Sequence, residues 1–130
     1  LPICLGAAVD YLSNIGMANV RAHEHDITVH ALGALQSRFG DDIVIHGSTD
    51  ASVRGATISF AYRDVHPHDV SQVLDQRNVC VRAGHHCAKP LMRLLGANAT
   101  VRASFYLYNT PAEADVLCDA LAEAGDFFTL

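Results

Sequence analysis

The sequence predicts an α+β fold: a small two-layer domain in which a mostly antiparallel four-stranded sheet carries helices packed on one face. Three observations predict it. Apolar residues recur at helical spacing in several separate segments. Short runs rich in β-branched residues lie between those segments. The two kinds of element are mixed without strict alternation, and strict alternation would point to a parallel sheet instead. A chain of 130 residues suits one hydrophobic core, so a single domain over 1–130 is expected.

The elements follow in order. Leu5, Ala8, Val9, Leu12 and Ile15 space a helix over 3–16, with Gly16 as its stop. Ile27, Ala31, Leu35 and Phe39 repeat every four residues in a second helix over 19–39, ended by Gly40-Asp41-Asp42. Ile43-Val44-Ile45 is a short strand closed by Gly47, and a polar loop covers 48–56. Residues 56–62 alternate as a second strand. His66-Pro67 and Asp69 supply a helix start, with Val70, Val73 and Leu74 on the buried face. Residues 79–83 read as the third strand, with Cys80 as a packed thiol. Pro90 suits the first turn of a short helix through Leu95, and 100–105 is the fourth strand. Thr110, Pro111 and Glu113 occupy N-cap, N1 and N3 of a last helix running to about Ala124.

Composition narrows the function classes. Half the residues are hydrophobic and 18% are charged, an ordinary globular balance. The net charge is −5 with histidines neutral, and no basic run invites nucleic acid or an anionic membrane. The apolar opening is interrupted by Pro2, Gly6 and Asp10, too short a stretch to span a bilayer. Cys4, Cys80, Cys87 and Cys118 form no Cys-x-x-Cys pair, so reduced thiols in a cytoplasmic setting are expected. The chain opens Leu1-Pro2, which reads as part of a longer polypeptide.

Two stretches carry chemistry. Arg82-Ala83-Gly84-His85-His86-Cys87-Ala88-Lys89-Pro90 sets a thiol on a glycine-led loop among imidazoles and cations. The thiolate is the nucleophile, and cationic neighbours or a helix N-terminus favour it. The same pattern also fits a buried thiol among hydrogen-bonded histidines. Zinc is a third reading, weakened because adjacent ligands rarely reach one tetrahedral ion together; no metal is expected. In the second stretch, Arg102 stands in a strand otherwise made of small and apolar residues. Its fork matches a carboxylate bidentately. A substrate clamp and an edge-strand arginine paired to a local acid both fit.

Together these stretches resemble group II (SUF-type, NifS-like) cysteine desulfurases. The pattern R-x-G-H-H-C-A stands here as Arg82 to Ala88, and R-A-S-x-x-x-Y-N-T-x-x-E-x-D as Arg102 to Asp115. Ala7-Ala8-Val9-Asp10-Tyr11-Leu12, Thr57-Ile58-Ser59-Phe60 and His66-Pro67-His68-Asp69-Val70 resemble the family in the same register, so the likeness spans the chain. Asn78 stands where a glycine is usual, Cys80 where a small residue is usual, and Lys89 where uncharged residues are common.

The resemblance implies the C-terminal small domain of a fold-type I enzyme, dependent on pyridoxal 5′-phosphate and homodimeric. Such an enzyme turns L-cysteine into L-alanine and passes sulfur to a SufE- or SufU-like acceptor for iron–sulfur cluster assembly. Relatives acting on selenocysteine or cysteine sulfinate share the pattern. Cys87 matches the nucleophile that carries the persulfide. Arg102 matches the residue that grips the substrate carboxylate, and Arg82 a second active-site arginine. Gly84, His85 and His86 would support the loop. The family's Schiff-base lysine belongs to a large domain outside this chain, so these residues alone are expected to bind no cofactor and turn over no cysteine. The competing reading is a sulfur-acceptor or persulfide-carrier module without cofactor chemistry.

Overall fold

The structure is a computed structural model that describes residues 2–128. Helices α1 (Pro2–Ile15) and α2 (Met17–Phe39) are separated by Gly16 alone. Gly16 has φ of 87°, a left-handed backbone that glycine adopts without a Cβ penalty, and its N–H donates to Leu12 O at 2.9 Å to close α1. The second helix buries Val20, Ile27, Thr28, Ala31, Leu32 and Leu35. That stripe extends the predicted four-residue repeat, and Ala31, Leu32 and Leu35 of it join the core.

Strands β1 (Ile43–His46), β2 (Thr57–Tyr62), β3 (Arg82–Gly84) and β4 (Thr100–Ser104) form one sheet in the order β1-β2-β4-β3. All three pairings are antiparallel, as the sequence led us to expect. Helix α3 (Pro67–Gln76) starts where His66 Nδ1 accepts the N–H of His68 at 3.3 Å and Pro67 sets the first helical φ. Helix α4 (Lys89–Leu95) ends at Gly96, which is left-handed at φ 64°. Helix α5 (Pro111–Phe127) opens on the predicted capping box, with Glu113 Oε2 accepting the N–H of Thr110 at 2.8 Å.

The core lies between one sheet face and α2, α3 and α5. Strand alternation sends Ile58, Phe60 and Tyr62 of β2 and Val101 and Ala103 of β4 into it. Leu35, Val70, Leu74, Leu117 and Leu121 meet them from the helices. Each buried Leu, Ile, Val or Phe among them stabilises the fold by roughly 1.5–3 kcal/mol. The opposite face of the sheet carries no part of this core.

Two expectations change. The strand expected over 79–83 pairs only at Arg82–Gly84. Val79 N–H is drawn to Leu74 O at 3.0 Å, and Asn78 turns the chain at φ 58°. Cys80 is therefore exposed, not a packed strand thiol. It lines a groove of about 430 Å3 where residues 79–81 diverge from 103–105. Helix α1 forms as predicted yet buries nothing: Leu5 and Val9 of its apolar stripe are exposed.

Candidate functional site

The open face of the sheet is organised by register. Arg82 pairs with Arg102, Arg102 with Ser59, and Ser59 with His46. Residues directly opposite one another in an antiparallel sheet share a face. These four side chains therefore form one polar row across all four strands. Thr100, paired with Gly84, stands two residues before Arg102 and so on the same face.

Among the described residues neither Arg82 nor Arg102 makes an ion pair. Arg102 Nε is buried with no hydrogen-bond partner, and so is Nε2 of His46. The alternative of an arginine paired to a local acid is not what the fold contains. Like charges set opposite each other on neighbouring strands repel, and a buried unpaired donor has lost its hydration. An anion between the two guanidinium groups would relieve both costs.

The loop that follows β3 is bent tightly. Gly84 has φ of 130°, a backbone that side chains resist. His86 and Cys87 then adopt φ of 53° and 58°, and Ala88 N–H donates to His85 O at 2.8 Å. Two consecutive positive φ values inside a four-residue hydrogen-bonded turn are the type I′ pattern, which glycine, asparagine and aspartate usually fill. Each non-glycine residue held there costs on the order of 1–3 kcal/mol. Cys87 occupies the second central position, and its N–H donates to His85 Nδ1 at 3.2 Å. Its side chain is exposed, so the buried-thiol reading does not hold.

His86 folds back from this turn onto β4. Its Nε2 lies 2.9 Å from Thr100 Oγ1 and 3.2 Å from Thr100 O. A carbonyl oxygen only accepts, so Nε2 carries the hydrogen. Burial, then the positive charge of Arg102, hold the His86 pKa below its ordinary value, with Arg82 and His85 adding to the effect. The hydrogen bond to Thr100 opposes them. Nδ1 of His86 is buried and has no partner. The bond to Thr100, which shares a strand face with Arg102, places the turn beside the polar row.

Sequence reasoning named Cys87, Arg82, Arg102, Gly84, His85 and His86, and the fold brings them to one edge of the sheet. It missed Thr100, Ser59 and His46. The two-residue period alone puts Thr100 on the face of Arg102; Ser59 and His46 needed the strand register. On the outer side of the turn, an open cleft of about 430 Å3 is lined by His85, Lys89, Met92 and Arg93, among others. Cys118, in contrast, is sealed in the core, where burial pushes its thiol up to about 11. Among the described residues no three histidine, cysteine or acidic side chains gather as metal ligands.

A pyridoxal 5′-phosphate site needs an amine for the aldehyde and a cradle for the phosphate. Lys89 is the one lysine of the sequence, and it stands exposed at the start of α4, two residues beyond Cys87. No glycine-rich phosphate loop precedes a helix here. These residues therefore supply no phosphate cradle of that kind.

Residues 2–117 match the aminotransferase class-V family. A probable cysteine desulfurase of Streptomyces coelicolor is 53% identical over 124 residues, covering 95% of this chain and 29% of the relative. One from Halobacterium salinarum is 45% identical over 126 residues, covering 97% of the chain and 30% of the relative. The apo structure of a cysteine desulfurase from Thermococcus onnurineus NA1 superposes with a TM-score of 0.85 at 34% identity, covering 92% of this chain and 29% of that one. The Escherichia coli cysteine desulfurase CsdA gives 0.84 at 28% identity, over 95% and 29%. The chain thus spans less than a third of the length of the relatives it matches.

Proposed function

Because the chain belongs to the aminotransferase class-V family, we propose that it is the C-terminal small domain of a SUF-type cysteine desulfurase and that Cys87 receives the sulfur. The observation that carries this reading is the exposed Cys87, held on a turn tied by His86 to the strand of Arg102, whose Nε is buried without a partner. Arg102, with Arg82 opposite, binds the carboxylate of L-cysteine through charge-assisted hydrogen bonds. The Cys87 thiolate attacks the substrate sulfur. A sulfur–sulfur bond forms as the substrate carbon–sulfur bond breaks; the carbon half keeps that electron pair, takes up one proton and leaves as L-alanine.

Pyridoxal 5′-phosphate, held by the rest of a longer polypeptide, serves as the electron sink of the reaction. No residue of this chain is assigned to holding it. The working enzyme is a cytoplasmic homodimer, and the persulfide on Cys87 passes to a SufE- or SufU-like acceptor for iron–sulfur cluster assembly. The competing carrier module has no use for a substrate-carboxylate clamp, and the unpaired arginines favour the enzyme.

The test is mass spectrometry of the full-length protein after incubation with L-cysteine, with alanine measured in parallel. The expected result is a gain of ~32 Da on Cys87, one sulfur atom, lost in Cys87→Ala together with alanine formation. Alanine formation with no adduct on Cys87 would refute the assignment. Cofactor absorbance and alanine production from these 130 residues alone would refute the division of labour.

A further inference from the structure

Most of the polar features near the turn belong to the site already described, but the bond between His86 and Thr100 has a separate consequence. We propose that His86 is a positioning residue, which clamps the Cys87 turn to Thr100 and thereby fixes the thiol relative to Arg102. The inference rests on the reading of Cys87 as the sulfur-receiving thiol.

The turn that carries Cys87 is strained. His86 and Cys87 both lie in the left-handed region, which few non-glycine residues occupy. Bonds within the turn, from Ala88 N–H to His85 O and from Cys87 N–H to His85 Nδ1, shape it but do not themselves tie its tip to the sheet. His86 supplies the only side-chain bond from the turn to the sheet among the described residues. Its anchor is rigid, because Thr100 is fully buried and paired in the ladder opposite Gly84. The anchor is also well placed. Thr100 and Arg102 are two residues apart on one strand, about 7 Å along it, and share a face. A single strand therefore sets the spacing between the nucleophile's turn and the guanidinium.

Loss of this clamp leaves the turn chemically complete but free to swing. A displacement of about 1 Å can slow a reaction by about 10²-fold without changing how substrate binds. The predicted signature is thus a loss in kcat with KM preserved.

The experiment uses the full-length enzyme containing this chain. His86→Ala is expected to lower kcat for alanine formation by about tenfold or more, with KM within about twofold. Thr100→Val acts in the same direction by a smaller factor, because the carbonyl of residue 100 remains as acceptor, and Thr100→Ser restores the original rate. A nitroxide on Cys87, with other exposed cysteines replaced by serine, gives a second reading. Its spectrum is expected to narrow in Thr100→Val and to stay unchanged in Thr100→Ser. If His86→Ala does not fold, Thr100→Val and its spectrum decide the matter. Unchanged kcat and unchanged nitroxide mobility in Thr100→Val overturn the clamp, as does a rise in KM at constant kcat. Full turnover by Cys87→Ala overturns the reading of Cys87 itself, and so separates the two failures.

Discussion

Arg82 on β3 stands directly opposite Arg102 on β4, and among the described residues no carboxylate lies between them. A fold gains nothing from that arrangement. Opposed like charges on adjacent strands cost roughly 0.2–1 kcal/mol, and the buried Nε of Arg102 adds an unmet hydrogen bond. Replacing Arg102 by methionine is therefore expected to stabilise the protein by a few tenths to about 1 kcal/mol. The same change removes the proposed carboxylate clamp and is expected to lower kcat/KM of the full-length enzyme for L-cysteine by about 10²-fold. Arg102→Lys should recover little, since an ammonium cannot present two parallel donors. Urea unfolding and steady-state kinetics on the same variants check both signs. A destabilised, fully active Arg102→Met would contradict the argument.

The second prediction concerns pH. Burial lowers the pKa of His46, and burial with the nearby arginines lowers that of His86. For a base with a lowered folded pKa, the unfolded chain binds its proton first. Above about 6.5 both groups are neutral in either state and contribute no slope. As pH falls through that value the unfolded chain takes up protons and stability declines, until the pH passes below the folded pKa. The carboxylates of Asp50 and Glu113 act in a separate, more acidic window. Their pKa values are lowered by hydrogen bonds, to Ser52 for Asp50 and to Thr110 and Asn109 for Glu113, so their contribution disappears only as pH falls through those values. Tm is thus expected to fall between pH 7 and pH 5.5, and His46→Gln to flatten the decline. A Tm that rises on acidification over this range would be inconsistent with the two half-buried imidazoles.

Much of this was legible in the sequence because local chemistry agrees with the fold. The periodicity of α2, the Pro67 start of α3 and the Thr110–Glu113 box are decided within a few residues of themselves. The site residues were legible because a thiol beside two imidazoles and an arginine in an apolar strand are conspicuous by type. The remainder depends on non-local pairing. That Arg82 faces Arg102, and that Ser59 and His46 continue the row, follows from strand register, which alternation alone leaves open by even steps. The shortening of β3 also escaped, because Asn78 and the Val79 to Leu74 bond steer the chain away from β4 despite three β-compatible residues. The stripe on α1 shows the opposite limit: its pattern is clear, yet among the described residues Leu5, Ala8 and Val9 stay exposed.

The start of α5 gives a local test. Thr110 and Glu113 close the capping box, and Asn109 Nδ2 donates to the same Glu113 carboxylate at 3.2 Å. The helix carries Leu117, Cys118 and Leu121 into the core, so fraying at its first turn is felt by the packing. Thr110→Ala is expected to cost about 1 kcal/mol, and Thr110→Ser nearly nothing. Thermal unfolding measures it. Equal stability of the alanine variant would mean that packing alone holds the helix end.

The last prediction sets two magnitudes against each other at Gly125, near the end of α5. Alanine in a helix is favoured over glycine by up to about 1 kcal/mol, which on its own would make Gly125→Ala stabilising. The new Cβ, however, would press on Tyr62 Oη and lie 3.0 Å from Arg63 Nη1. Tyr62 is buried in β2 and held edge-on by the Phe39 ring at 5.5 Å, so it has little room to retreat. Overpacking of this kind costs typically 1–3 kcal/mol, and it outweighs the helix preference. Gly125→Ala should therefore destabilise the protein. In a Tyr62→Phe background the hydroxyl, the tightest contact, is gone, and the same substitution should cost less. The difference between the two backgrounds, a coupling of about 1 kcal/mol or more, isolates the contact from the helix term. A stabilised Gly125→Ala in the original background would show that Tyr62 yields more readily than its burial implies.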